Sequence, residues 1–190
     1  NRKDKWGGSF ENRARLLQLI LQKVRETVGN NFILAVKINS SDFQKGGLEI
    51  SDSVKIANLI EKENIDFIEV SGGNFEAPEA YQYVSLKEST KSREAYFLDA
   101  AKNIKASVSI PIMVTGGFRS ISVMEDALTS SSTDLIGIGR PFVIDPSFPY
   151  KLLNGDISVL PAVERNFPPA QDIPKGAVLN WFCDQLAIQG

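Results

Sequence analysis

Hydrophobic and polar positions along the chain alternate between two periods. "ENRARLLQLILQKVRETVG" places Leu17, Leu21, Val24 and Val28 on one helical face, with Leu16 and Ile20 beside it. Ser9 is placed to cap the start of this helix and Gly29 its end. The apolar run "FILAVKIN" (32–39) predicts a strand. "SDSVKIANLIEKEN" (51–64) predicts a second helix, with Val54, Ala57 and Ile60 or Ile56 facing inward, and "DFIEVSGG" (66–73) a second strand. "SREAYFLDAAKNIKA" (92–106) gives a third helix, followed by the strand "IPIMVTGG" (110–117). In "SISVMEDAL" the separation of Ser122 and Glu125 is that of a capping box, which starts a fourth helix there. "DLIGIGRP" (134–141) is the fourth strand; a Pro-rich stretch from Pro161 to Pro174 then leads to a last helix around "GAVLNWFCDQLA".

Strands alternating with helices predict parallel βα units, and apolar residues on both parities of the strands fit a sheet buried on both faces. The expectation is a single α/β domain, with βα units over 1–155 and a C-terminal extension over 156–190. Within the strands the two parities differ in kind. Leu34, Val36 and Ile38, Ile68 and Val70, and Ile136 and Ile138 form a helix-side face. The opposite face collects Ala35, Lys37 and Asn39, Glu69 and Ser71, and Leu135, Gly137 and Gly139. Polar groups and glycines therefore gather toward the carboxyl ends of the strands, where ligands bind in parallel α/β folds.

Composition narrows the chemistry. Among 190 residues, 21 Lys and Arg balance 23 Asp and Glu for a net charge of −2, and no basic run offers a nucleic-acid footprint. Hydrophobic residues at 43% and charged residues at 23% are those of an ordinary globular protein. No uninterrupted apolar run approaches membrane-spanning length, and "NRKDKWGGSF" lacks the apolar segment of a secretory signal. Cys183 is the sole cysteine, so no disulfide forms within the chain, and the expected location is the cytoplasm. There is no histidine, which removes a Ser-His-Asp triad, a His general base and a His-ligated metal from this chain.

Gly116 and Gly117 end the third strand, and Gly139 and Arg140 the fourth. Glycines let a ligand approach the backbone, and a guanidinium adds a bidentate cation, so the two junctions together predict a phosphate cradle. The plain alternative is a tight turn and a solvated arginine; the same device at adjacent junctions argues against it. Lys37, near the end of a buried strand, faces a bound cofactor, pairs with Glu69 on the next strand, or lies exposed at the rim. The long connection from Gly72 to Lys91 carries Phe75, Tyr81 and Tyr83 and reads as a pocket wall, a lid or a surface loop. Trp181 and Phe182 read as packing residues.

The segments "RKDKWGGSFENRARLL", "AVKINSSDFQKGGLE", "DFIEVSGG", "IPIMVTGGFRS" and "LIGIGRPFVIDP" resemble, in order, the second half of the old yellow enzyme family of NADH:flavin oxidoreductases. "GGSxENR" and "GxGRP…DP" carry most of the specificity, and the resemblance runs from Arg2 to about Asn154. It implies an eight-stranded βα barrel (TIM barrel) with FMN at its C-terminal face and NAD(P)H as reductant, acting on an activated C=C bond of a small molecule. By the same resemblance Gly116, Gly117, Gly139 and Arg140 would hold the FMN phosphate. Lys37 falls where many members have arginine, near the pyrimidine edge of the flavin; it keeps the charge but loses the fork geometry.

A complete barrel needs eight units and typically about 250 residues. This chain is therefore expected to be the C-terminal half, without the family's substrate-orienting His/Asn pair or proton-donating tyrosine, so it would hold no catalytic residue of its own. Two other readings stay open at this point. One is a phosphate-binding barrel of different chemistry; the other is a non-catalytic half-barrel module closed as a homo-oligomer.

Overall fold

The structure, a computed structural model, describes residues 2–43, 45–73, 94–168, 172, 174 and 176–189. Helix α1 (Phe10–Val28) starts at Ser9, whose hydroxyl accepts from the Asn12 amide, and ends at Gly29. Strand β1 (Ala35–Asn39), helix α2 (Ile50–Ile60), strand β2 (Phe67–Ser71), helix α3 (Leu98–Lys105) and strand β3 (Ile112–Thr115) follow. Helix α4 (Ile121–Thr129) and strand β4 (Leu135–Gly137) complete the alternation. Short helices α5 (Arg140–Ile144) and α6 (Phe148–Leu153) lead to the terminal helix α7 (Ala177–Gln189).

The four strands form one open parallel sheet in the order β1-β2-β3-β4. Its register explains the two parities. Ile68 pairs across to Ile112, and Val70 to Val114; all four are fully buried beneath the helices together with Ala57, Ile60, Ala101 and Ile104. On the other face Lys37, Glu69, Met113 and Leu135 form one row, and Asn39 pairs with Ser71 as Thr115 pairs with Gly137. That second face is only partly covered, with Leu135 42% exposed. The expectation of a sheet buried on both faces holds for the helix side alone.

The amino ends of the strands are fixed by a repeated device. Asp66, just before β2, accepts the Leu34 amide and pairs with Arg25 of α1, both at 2.7 Å. Asp134, just before β4, accepts the Ile112 amide at 2.9 Å and pairs with Lys105 of α3. Arg25 is itself buried and also donates to the carbonyls of Asn64, Gly29 and Phe32, so it holds the chain as it turns into β1. Such bracing at the bottom of a βα layer serves stability and leaves the carboxyl ends free for function.

Several local expectations are corrected. Helix α4 begins at Ile121, with Ser120 at the N-cap position, rather than at a Ser122–Glu125 box. The chain is held as it enters the helix: Glu94 accepts the amides of Arg119 and Ser120, each at 2.7 Å, and the Ile121 amide donates to Ser158 O. Strand β4 stops at Gly137, because Pro141 is suited to the first turn of a helix and Arg140 therefore begins α5. Helix α3 starts only at Leu98, leaving Glu94 to Phe97 free to line the sheet's upper end. The Phe75, Tyr81 and Tyr83 segment lies outside the described residues. Trp181 and Phe182 do pack, edge-to-face with each other at 5.1 Å, and Trp181 with Phe167 at 5.6 Å.

Candidate functional site

A cleft of about 210 Å³ opens at the carboxyl ends of the strands. Lys37, Gly116, Gly117, Gly139 and Arg140, far apart in sequence, all line it. So do Arg119, Tyr96, Phe97 and Thr115, which the sequence did not single out. Its wall thus carries the cations Lys37, Arg119 and Arg140, and no Asp or Glu is among its described lining residues. Charge of one sign in a concave site favours an anionic ligand.

The glycines serve two different purposes. At Gly116 (φ +145°) an added Cβ would lie 2.8 Å from the Phe97 ring, and at Gly117 (φ +83°) 2.6 Å from the Tyr96 ring. Both positions are therefore dictated by the protein's own aromatic packing as well as by backbone conformation. Gly139 differs. Its φ is −112°, which any residue adopts, and an added Cβ would meet nothing within 4 Å. No atom of the described residues requires glycine there, so its missing side chain simply keeps the cleft open beside Arg140.

The floor and rim are held from several elements. Arg119 is buried and donates from Nη1 to the Phe118 carbonyl at 2.6 Å, while Phe118 itself is buried to 1% exposure. The chain after α6 returns over this turn, where the Leu160 amide donates to Arg119 O at 2.8 Å and the Ile121 amide to Ser158 O at 2.9 Å. Together with Glu94 these bonds fix the β3–α4 junction that carries Gly116 and Gly117. A site on such a braced turn is pre-organised rather than formed on binding.

Lys37 meets one of its alternatives directly: its Nζ lies 2.7 Å from Glu69 Oε1. Its side chain nevertheless stays 55% exposed and faces the cleft. Pairing neutralises part of its charge without removing it from reach of a ligand. The signals missed in sequence were tertiary. Tyr96 and Phe97 read as part of a helix, and Arg119 was given no role; nothing in their spacing marks them as cleft residues.

The fold and site define a parallel βα protein with a cationic, glycine-rich cleft at the carboxyl ends of its strands. The chain belongs to the NADH:flavin oxidoreductase / NADH oxidase family, which matches residues 1–156. It is 37% identical over 157 residues to the NADH-dependent flavin oxidoreductase iliE of Neonectria sp. (strain DH2), covering 78% of this chain and 20% of that protein. To the NADH-dependent flavin oxidoreductase nadA of Aspergillus parasiticus it is 34% identical over 170 residues, covering 86% of this chain and 37% of the relative. Among solved structures, a 2-naphthoyl-CoA reductase complex superposes with a TM-score of 0.75 at 33% identity, covering 84% of this chain and 24% of that one. The old yellow enzyme homologue of Zymomonas mobilis shares the fold, with a TM-score of 0.62 at 21% identity, over 93% of this chain and 45% of that one. The chain thus belongs to an enzyme family of flavin oxidoreductases and spans less than half the length of these relatives. Among the described residues no helix is long and apolar enough to cross a membrane.

Proposed function

We propose that this chain supplies the FMN phosphate site of an FMN-dependent NAD(P)H oxidoreductase of ene-reductase type, its four βα units forming the C-terminal half of an eight-unit barrel. The observation that carries the reading is the single cleft in which both glycine-rich turns meet three cationic side chains and no described carboxylate. When bound, FMN would supply hydride transfer between NAD(P)H and an activated C=C bond. The residues of this chain do the holding. Arg140 offers its guanidinium to the phosphate, Gly139 leaves the space the phosphate needs, and the braced Gly116–Gly117 turn sets the opposite wall.

Lys37 has a separate task in this reading. Its ammonium stabilises negative charge on the cofactor's ring, and Glu69 tempers that effect while fixing where the ammonium lies. Acid–base groups that act on the substrate would come from the other half of the barrel. The catalytic substrate class is thus a small molecule with a polarised double bond, recognised mostly outside this chain.

Comparing FMN with riboflavin tests the proposal, since only FMN carries the phosphate. The full-length protein should bind FMN more tightly than riboflavin, and Arg140→Ala should erase most of that difference, a loss of about tenfold or more for a charge-assisted contact. Equal affinity for both flavins in the unsubstituted protein would reject the phosphate site.

A further inference from the structure

Thr115 ends β3 on the sheet face turned away from the helices and lines the cleft beside Gly116. Its Oγ1 is buried and has no hydrogen-bond partner among the described residues. Thr133, elsewhere in the same layer, shows what a buried hydroxyl ordinarily does: it donates to the Ile112 carbonyl at 2.7 Å, with the Leu135 carbonyl 3.0 Å away. A buried hydroxyl without a partner loses its bonds to water and receives nothing in return.

The neighbouring strand is shaped around this atom. Gly137 lies opposite Thr115 in the β3–β4 register, and a Cβ added there would fall 1.8 Å from Thr115 Oγ1. Glycine inside a strand weakens it and commonly marks a place where another group must come close. Here the space that glycine leaves is filled by a hydroxyl with no described bond to make. A strand weakened to seat an unsatisfied polar atom at the edge of a cationic cleft is the signature of a group reserved for a ligand.

We infer that Thr115 Oγ1 is a cofactor-binding group, which completes its hydrogen bonding on a polar atom of the flavin mononucleotide. The inference rests on the proposed FMN site and adds a contact to it from the floor of the cleft. A hydroxyl suits this role because it donates and accepts, and so adapts to either kind of atom.

Flavin affinity and the thermal stability of the flavin-free protein, measured together, test it. Thr115→Val and Thr115→Ala should each weaken FMN binding roughly three- to tenfold, the worth of one hydrogen bond. Thr115→Ser, which keeps the hydroxyl, should bind within about twofold of the parent. The flavin-free Thr115→Val protein should melt no lower than the parent, because it loses only an unsatisfied group; Thr115→Ala guards against a misplaced Val methyl beside Gly137. Unchanged affinity in both hydroxyl-free variants, with Arg140→Ala weakened, would overturn the Thr115 contact alone and leave an ordered water as the hydroxyl's partner. Unchanged affinity in Arg140→Ala would overturn the underlying phosphate site and this inference with it.

Discussion

Alanine at Gly116 and alanine at Gly139 should have opposite consequences, although both glycines line one cleft. At Gly116 the new Cβ would stand 2.8 Å from the Phe97 ring on a backbone with φ of +145°. Phe97 has nowhere to retreat. It is 7% exposed, it presses on Gly72, where an added Cβ would lie 2.7 Å away, and it stacks on Phe43 with ring centroids 6.2 Å apart. Backbone strain of this kind costs about 1–3 kcal/mol and forced repacking about as much, so Gly116→Ala should lose about 2–6 kcal/mol. At Gly139 neither term applies, and the change should stay within about 0.5 kcal/mol. Urea unfolding reads the difference: the midpoint should fall by about 1–2 M for Gly116→Ala and hardly move for Gly139→Ala. FMN affinity should show the reverse emphasis, with the well-folded Gly139→Ala protein binding about tenfold more weakly because its methyl enters the cleft. Comparable destabilisation in the two variants would refute the distinction, and full FMN affinity in Gly139→Ala would refute the role given to that space.

Other consequences follow from the charged groups. Asp66 is held below the ordinary carboxylate range by the Leu34 amide and by Arg25, so its ionised form favours the folded state. That contribution is complete above the unfolded carboxylate value of about 4 and is lost as pH falls through the lower folded value, so Asp66→Asn should blunt the acid-induced loss of stability below about pH 4 in a pH-resolved melting series; an unchanged acid limb would contradict it. Asp134 shows the same direction, since hydrogen bonds from Lys105 and the Ile112 amide outweigh the upward push of partial burial, and Asp134→Asn should act alike. Lys37→Met should lower the flavin reduction potential and Glu69→Gln raise it, each by roughly 20–30 mV for about 1 kcal/mol of altered charge interaction; spectroelectrochemical titration would show shifts of opposite sign, and shifts of the same sign would remove Lys37 from the flavin's vicinity. Phe118→Ala should destabilise by about 3–5 kcal/mol, because its ring is buried under the cradle, and chemical denaturation would measure it.

How much of this was legible in sequence depended on whether the cause was local. The strands around Val36, Ile68 and Val114 announced themselves as short apolar runs between helical segments, and Ser9 and Gly29 mark the ends of α1 as cap chemistry requires. The five candidate residues converge on one cleft because strand order places the carboxyl ends side by side, which the alternation of βα units already implied. The start of α4 was misread since the chain entering it is held by Glu94, some twenty-five positions upstream, and no short motif encodes such a contact. The Gly116–Gly117 pair was read as room for a ligand, yet the rings of Tyr96 and Phe97 account for it first. Thr115 and Gly137 look like ordinary strand residues until the register sets them opposite each other.

A crystal structure of the full-length protein with FMN bound would test the central claim most directly. The phosphate should lie between the Gly116–Gly117 turn and Gly139–Arg140, with the Arg140 guanidinium within hydrogen-bonding distance of its oxygens. A phosphate seated away from both turns, with this cleft filled by something else, would contradict it.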